Sequence, residues 1–151
     1  MNRAIIVTGA SSGIGKATAC LLAQQGFRVF ATVRKEEDAA RLRAESGAIT
    51  PIIMDVTDPD SIRDAQAFVR TQLHGGGLYG LVNNAGIGVA GPLEYIHVET
   101  MRNMFEVDVF GQMAVTQAFM PLLRAGKGRI INIGSVGAHI SMPFAGPWAA
   151  N

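Results

Sequence analysis

Apolar residues fall into short, nearly unbroken runs, separated by longer stretches where they recur every three or four positions. The runs at 4–8 (AIIVT), 28–33 (RVFATV), 49–55 (ITPIIMD), 78–83 (LYGLVN) and 129–133 (RIINI) are too short for ordinary helices. They also lack the strict polar alternation of half-exposed strands, so they read as strands buried on both faces, as in a parallel sheet. Pro51 lies early in the third run, which suggests a strand start or an edge strand. Between the runs, 13–25 carries Ile14, Ala17, Leu21 and Leu22 at helical spacing and stops at Gly26. Residues 35–46 read as an exposed helix laced with charge pairs. The cluster Asp58-Pro59-Asp60-Ser61 caps a helix over 58–73. A long helix is expected over 100–124, with Met104, Val107, Phe110, Met113 and Ala114 on one side. Residues 134–147 are mostly small and read as a loop. Strands alternating with helices at this spacing predict an α/β fold with right-handed crossovers and one parallel sheet.

Composition narrows the class. The chain has 151 residues and is 48% hydrophobic, enough for one sizeable core. With 17% charged residues and a net charge of +1, neither disorder nor a nucleic-acid partner is expected. No apolar run reaches the roughly 18 residues of a membrane span. Cys20 is the one cysteine. It excludes an internal disulfide framework and fits a reducing compartment, so a cytoplasmic location is expected. The start of the chain is a poor signal peptide and a good buried strand. His74, His97 and His139 have no partner at ligand spacing, so no metal is expected.

The chemistry begins at the first strand-to-helix junction, T-G-A-S-S-G-I-G over 8–15. Gly9, Gly13 and Gly15 allow a sharp turn and a close approach of a pyrophosphate to the helix N-terminus, where Ser11 and Ser12 can donate hydrogen bonds. The same residues could form a ligand-free turn. A Walker A loop is disfavoured because Ala17 follows Gly15-Lys16. At the end of the second strand, Arg34 stands where a carboxylate would select NAD. A guanidinium suits the extra phosphate of NADP, so NADP is expected over NAD. Otherwise Arg34 simply opens the charged helix with Glu36 and Glu37.

With these residues in place the chain resembles the short-chain dehydrogenase/reductase family. The loop 8–15, including Ile14, is similar to its cofactor motif. Asp55-Val56 resembles the pair that contacts adenine, and Asn83-Asn84-Ala85-Gly86 its N-N-A-G motif. Ile131-Asn132-Ile133-Gly134-Ser135 resembles the strand leading to the catalytic serine. The segments G-P-L-E (91–94) and G-S-V-G (134–137) look like members acting on steroids or retinoids. The resemblance implies a Rossmann-like doubly wound sheet, truncated after the fifth strand. It also implies that 1–151 is a single dinucleotide-binding domain, incomplete at its C-terminal end. The implied reaction is hydride transfer between a nicotinamide and a small-molecule alcohol or carbonyl. Asn84, Ala85 and Gly86 join the cofactor-binding set, and Ser135 is the catalytic candidate. The full-length protein is expected to be a homo-oligomer.

Three departures follow from the resemblance. Trp148 stands at the family's tyrosine position, and an indole N–H has no acid-base chemistry near neutral pH. The family lysine would fall beyond Asn151. Asp108 replaces a common asparagine, so a water relay would be rewired. This chain alone is therefore expected to be inactive. The alternatives are a non-catalytic dinucleotide-binding module and a nucleotide-sugar or methyl-transfer domain. The N-N-A-G and G-S-V-G segments argue against the last. Tyr95 and His139 are weighed as substitute acid-base groups against plain surface residues, and Tyr79 is placed away from the site.

Overall fold

The computed structural model describes residues 3–140 and 146–149, with the side chains of Ala138, Trp148 and Ala149 outside the description. Five strands, β1 Ala4–Val7, β2 Arg28–Val33, β3 Ile49–Ile53, β4 Gly80–Asn83 and β5 Arg129–Asn132, pair in parallel in the order β3-β2-β1-β4-β5. Register runs from Ile6 to Phe30 on one side and from Ile6 to Leu81 on the other. The chain winds outward from β1 to β3 and then returns to β1's other side through β4. This is a doubly wound sheet, and its winding reverses between β1 and β4.

Alternation along the strands divides the core in two. Ile5, Val7, Val29, Ala31 and Val33 pack with Ala19 and Ala23 of α1 (Gly13–Gln24) and with Ala39 and Leu42 of α2 (Glu36–Glu45). Ala4, Ile6, Phe30 and Leu81 pack with Ile62 and Val69 of α3 (Pro59–Gln72) and with Val115 and Phe119 of the long helix. Helices on both faces explain why these strands read as continuous apolar runs. Local signals place the ends. Gly26 takes φ +83 after α1, and its N–H and that of Phe27 return to Ala23 O and Leu22 O. Asp58 caps α3 by accepting the Asp60 N–H at 2.9 Å, with Pro59 next. Pro51 does lie on an edge strand, and the Glu36–Arg43 and Asp38–Arg41 pairs do lace α2. Among the described residues no helix is long and apolar enough to cross a membrane.

The long helical stretch differs from the sequence expectation. It consists of α4 (Val98–Phe105), a π turn (Glu106–Gly111) and α5 (Gln112–Ala125). Its inward residues are Met104, Gly111, Val115, Phe119 and Leu122. Phe110 and Met113, expected on one side with Met104, Val107 and Ala114, are 51% and 54% exposed, while Met104 is buried and Val107 and Ala114 pack on the core. The cause is Gly111, where a Cβ would come 2.9 Å from Val56 Cγ2. The helix meets the sheet backbone-close at a glycine, and size-based pattern reading passes over it. β5 is the other edge, with Ile131 54% exposed. Its end is tied in by Asn83, whose Nδ2 donates to Thr116 Oγ1 at 3.0 Å and to Asn132 Oδ1 at 2.9 Å. Residues 134–147 are not wholly loop. Val136–Ala138 form a short 3₁₀ turn, Gly146–Ala149 form a helical turn α6, and 141–145 lie outside the described residues.

The revised helix face makes a direct prediction. Phe119→Ala should cost about 3–5 kcal/mol of stability, whereas Phe110→Ala should stay within about 1 kcal/mol. Urea unfolding of both variants checks the assignment, and comparable losses would contradict it.

Candidate functional site

The C-terminal ends of β1 and β4 lie side by side, and a loop leaves each of them. Thr8, 2% exposed, joins the two. Its Oγ1 accepts the Asn84 N–H and the Ala85 N–H, both at 2.9 Å. The same hydroxyl donates to Val82 O at 3.4 Å. In return, Asn84 Nδ2 donates to Thr8 O at 2.9 Å and to Gly9 O at 3.1 Å. Little space remains between the loops. A Cβ on Gly9 would lie 2.7 Å from Ala85 Cα, and one on Gly15 would lie 2.3 Å from Gly9 O. Gly9 and Gly15 thus have a packing reason in addition to the ligand approach expected from sequence. Gly13, at φ +54, has nothing within 4 Å of a Cβ and faces open space.

These loops form one wall of a cleft of about 550 Å³, within the size range of ligand sites. Every cofactor candidate named from sequence lines it. Gly9, Ser11, Ser12, Gly13, Ile14 and Gly15 come from the first loop and Arg34 from the end of β2. Asp55 and Val56 follow β3, and Asn84, Ala85 and Gly86 follow β4. The cleft also takes in Thr32, Val33, Met54, Ile87 and Val107, which sequence reasoning missed. The first three sit beside marked residues at strand ends, so strand register could have found them. Ile87 and Val107 come together only in the fold.

The electrostatics suit an anion at one end. Ser12 is the N-cap of α1 but makes no side-chain cap bond, and the first turn carries no acid. With no acid in the turn itself and no side-chain cap, the positive end of the helix suits an anion there. Lys16 does not line the cleft and pairs with Glu45 of α2 at 2.5 Å. Arg34 is exposed and lines the cleft at the end of β2, close enough for its charge to act on Asp55. The Thr57 N–H, then the Thr57 hydroxyl, hold the Asp55 carboxyl below its ordinary range, with a smaller contribution from Arg34's charge. Asp55 Oδ1 accepts these two donors at 2.9 and 2.7 Å.

A second cavity of about 450 Å³ adjoins the first across Ile14, Asn84, Ala85, Gly86 and Ile87. Ser135 lines it, together with Asp108 and Ile133. Ser135 is exposed, and its Oγ also accepts the Gly137 N–H at 3.1 Å, so it serves the turn as well. Asp108 Oδ1 accepts the Ile87 N–H at 2.8 Å. Tyr95 is 74% exposed in a 3₁₀ turn, and His139 is exposed, as surface residues would be. Tyr79 lies just before β4 at the opposite end of the sheet, under the Arg3 guanidinium and stacked with Phe27. Trp148 falls in α6, its side chain outside the described ones. Among the described residues no group of three or more His, Cys, Asp or Glu is placed to hold a metal ion.

The Asp55 turn gives a pH prediction. A carboxyl depressed in the folded state stabilises fully above the unfolded pKa, about 4. That contribution is lost as pH falls through the folded value. Asp55→Asn should therefore lower the urea midpoint at neutral pH, and the gap to wild type should close as pH drops below about 4. A gap that persists in acid would contradict the assignment.

Comparison with known proteins agrees with this geometry. The family model described as short chain dehydrogenase matches residues 3–151. Human retinol dehydrogenase 5 is 38% identical over 137 residues, covering 89% of this chain and 43% of that protein. Estradiol 17-beta-dehydrogenase 2 of Mus musculus is 39% identical over 154 residues, covering 98% of this chain and 40% of that protein. The chain thus spans about half the length of the curated relatives it matches, or less. Among solved structures, a short-chain dehydrogenase from Streptomyces avermitilis superposes with TM-score 0.91 at 32% identity, covering 99% of this chain and 55% of that one. An actinorhodin polyketide ketoreductase with NADPH gives 0.86 at 31% identity, covering 99% of this chain and 59% of that one. By motif order, strand order and matched length, this chain belongs to the short chain dehydrogenase family.

Proposed function

We propose that residues 1–151 form a single dinucleotide-binding unit of an NADP(H)-dependent oxidoreductase acting on an alcohol or carbonyl. The observation that carries this is the convergence of all the sequence-named cofactor residues on one cleft at the point where the sheet reverses its winding. The first turn of α1, with Ser11 and Ser12, would hold the pyrophosphate through N–H and O–H donors. Arg34 would pair with the 2′-phosphate, for which a guanidinium fork is well shaped. Asp55 and Val56 would border the adenine, and Asn84, Ala85 and Gly86 the nicotinamide half. When bound, the nicotinamide supplies or accepts the hydride.

Ser135, in the adjoining cavity, would hold the substrate oxygen through its hydroxyl. The names of the retinol and estradiol relatives point the substrate toward an apolar alcohol or ketone. The homo-oligomer proposed for the longer protein would cover the exposed Phe110 and Met113. Trp148 supports a second reading for this chain by itself, namely binding without turnover, because an indole N–H cannot protonate an alkoxide near neutral pH.

Fluorescence titration with NADPH and NADH, followed by a panel of retinoid and steroid alcohols and ketones, tests the reading. NADPH should bind more tightly than NADH, and Arg34→Ala should reduce that preference about tenfold, or ~1.4 kcal/mol. No turnover above background is expected. An unchanged NADPH:NADH ratio in Arg34→Ala would overturn the NADP assignment. NADPH oxidation with any ketone of the panel, or NADP+ reduction with any alcohol, would overturn the binding-only reading.

A further inference from the structure

The charges of this chain are unevenly placed. Residues 1–35, 65–93 and 109–151 contain no Asp or Glu. Segments from these stretches meet at the end of the sheet opposite the cleft, where the strands begin. Arg28, Arg3, Tyr79 and Arg129 share one row there. The backbone N–H of Arg28 donates to Arg3 O, that of Tyr79 to Ala4 O, and that of Arg129 to Tyr79 O. At a strand spacing of about 4.8 Å the row is about 15 Å long. Two helix ends border it. The Arg28 guanidinium donates to Gln72 O at 2.7 Å, which brings in the end of α3 with Arg70 and His74. The Leu78 N–H donates to Leu122 O and the Gly128 N–H to Leu123 O, which brings in the end of α5 with Arg124 and Lys127. Arg28 is half-buried, and the other cations are exposed. Among the described residues none of these Lys and Arg side chains joins an ion pair, whereas Arg41, Arg43, Arg63 and Arg102 each have a carboxylate. Glu45, which ends α2 on this side, is taken by Lys16.

Cations at helix C-termini have an ordinary structural reason, because each terminus carries about half a negative charge. The ends of α1, α2, α3 and α5 together offset about two positive charges. Arg3, Arg28, Arg70, Arg124, Lys127 and Arg129 exceed that, and Arg3 and Arg129 stand at strand starts, where no helix end calls for them. We infer that this pole is a docking surface for the anionic headgroups of a lipid bilayer. Fixed cations spread over a row and two helix ends are met best by anions that can diffuse to them, as lipids do. An acidic protein face would have to match them one by one. Leu21, in the last turn of α1, and Phe68, one turn before the end of α3, are 57% and 42% exposed and suit the same interface. A nucleic acid is favoured less. The Tyr79 ring in the row is covered by Arg3 at 4.6 Å and stacked with Phe27 at 5.8 Å, so it is not free to stack on a base. The cleft lies at the other end of the strands, so a chain docked by this pole keeps it open to water. The inference does not rest on the cofactor reading above.

Co-sedimentation of the full chain with vesicles tests the inference, using phosphatidylcholine alone and phosphatidylcholine with about 30% phosphatidylglycerol. Wild type should pellet with the mixed vesicles at low salt, stay in solution with the neutral ones, and release at about 1 M salt. Each Lys or Arg at an anionic surface is worth about fivefold, so the triple variant Arg70→Gln, Arg124→Gln, Arg129→Gln should partition roughly a hundredfold more weakly. A second triple variant, Lys35→Gln, Arg63→Gln, Arg102→Gln, lowers the net charge equally away from the pole and should stay within about threefold of wild type. Arg129→Gln alone, on the exposed edge strand, should lose about fivefold and serves if circular dichroism shows the first triple variant unfolded. Failure of wild type to pellet with the mixed vesicles overturns the inference, as does equal pelleting with neutral ones. Equal losses in the two triple variants, or an unchanged partition in Arg129→Gln, overturn the role of the pole. Tighter binding to a duplex oligonucleotide than to the mixed vesicles at the same salt overturns the lipid assignment in favour of a nucleic acid.

Discussion

The cleft depends on the closure of two loops on each other through Thr8 and Asn84. A buried hydroxyl satisfies two backbone N–H groups of the neighbouring loop, and a side-chain amide satisfies two carbonyls in the opposite direction. Unpaired buried groups of this kind are costly, so the arrangement is held as a unit. It also explains the spacing of the glycines. Gly9 makes room for Ala85, Gly15 for Asn84 and the Gly9 backbone, and of the three only Gly13 faces open space at the head of α1.

Sheet topology supplies the location. β1 and β4 are neighbours in space but far apart in sequence, and the helices that follow them diverge to opposite faces of the sheet. The divergence leaves a crevice at the strand ends, and α1 points its N-terminus into it. Charge then gives the crevice a polarity. The first turn of α1, with no side-chain cap bond, and Arg34, partly balanced by Asp55, both line it. An anionic ligand fits that polarity better than a neutral one.

Most of the frame was legible in the sequence, because burial on both faces of a parallel sheet leaves apolar runs such as 4–8 that a helix or a half-exposed strand would not. The caps at Asp58 and Gly26 and the edge position of Pro51 were legible for equally local reasons. The π turn that brings the long helix in at Gly111 was not. Phe110 and Met113 outweigh Gly111 on any hydrophobicity count, yet the helix meets Val56 at the glycine. The cofactor candidates were found through their motifs, and they converge as those motifs imply. Thr8's hydroxyl and Asp108's carboxylate were present in the sequence, but their partners lie far along the chain. Their work in the site belongs to the tertiary structure, and local spacing does not reveal it.

The central claim is that the cleft walled by the β1 and β4 loops takes a nicotinamide dinucleotide. Amide chemical-shift mapping during an NADPH titration tests it most directly. The account predicts shifts concentrated at Gly13, Ile14, Arg34, Val56 and Ala85, with the Tyr79 end of the sheet and Ile130 on β5 unmoved. Shifts gathered at the Tyr79 end, or none at the glycine loop at saturating NADPH, would contradict it.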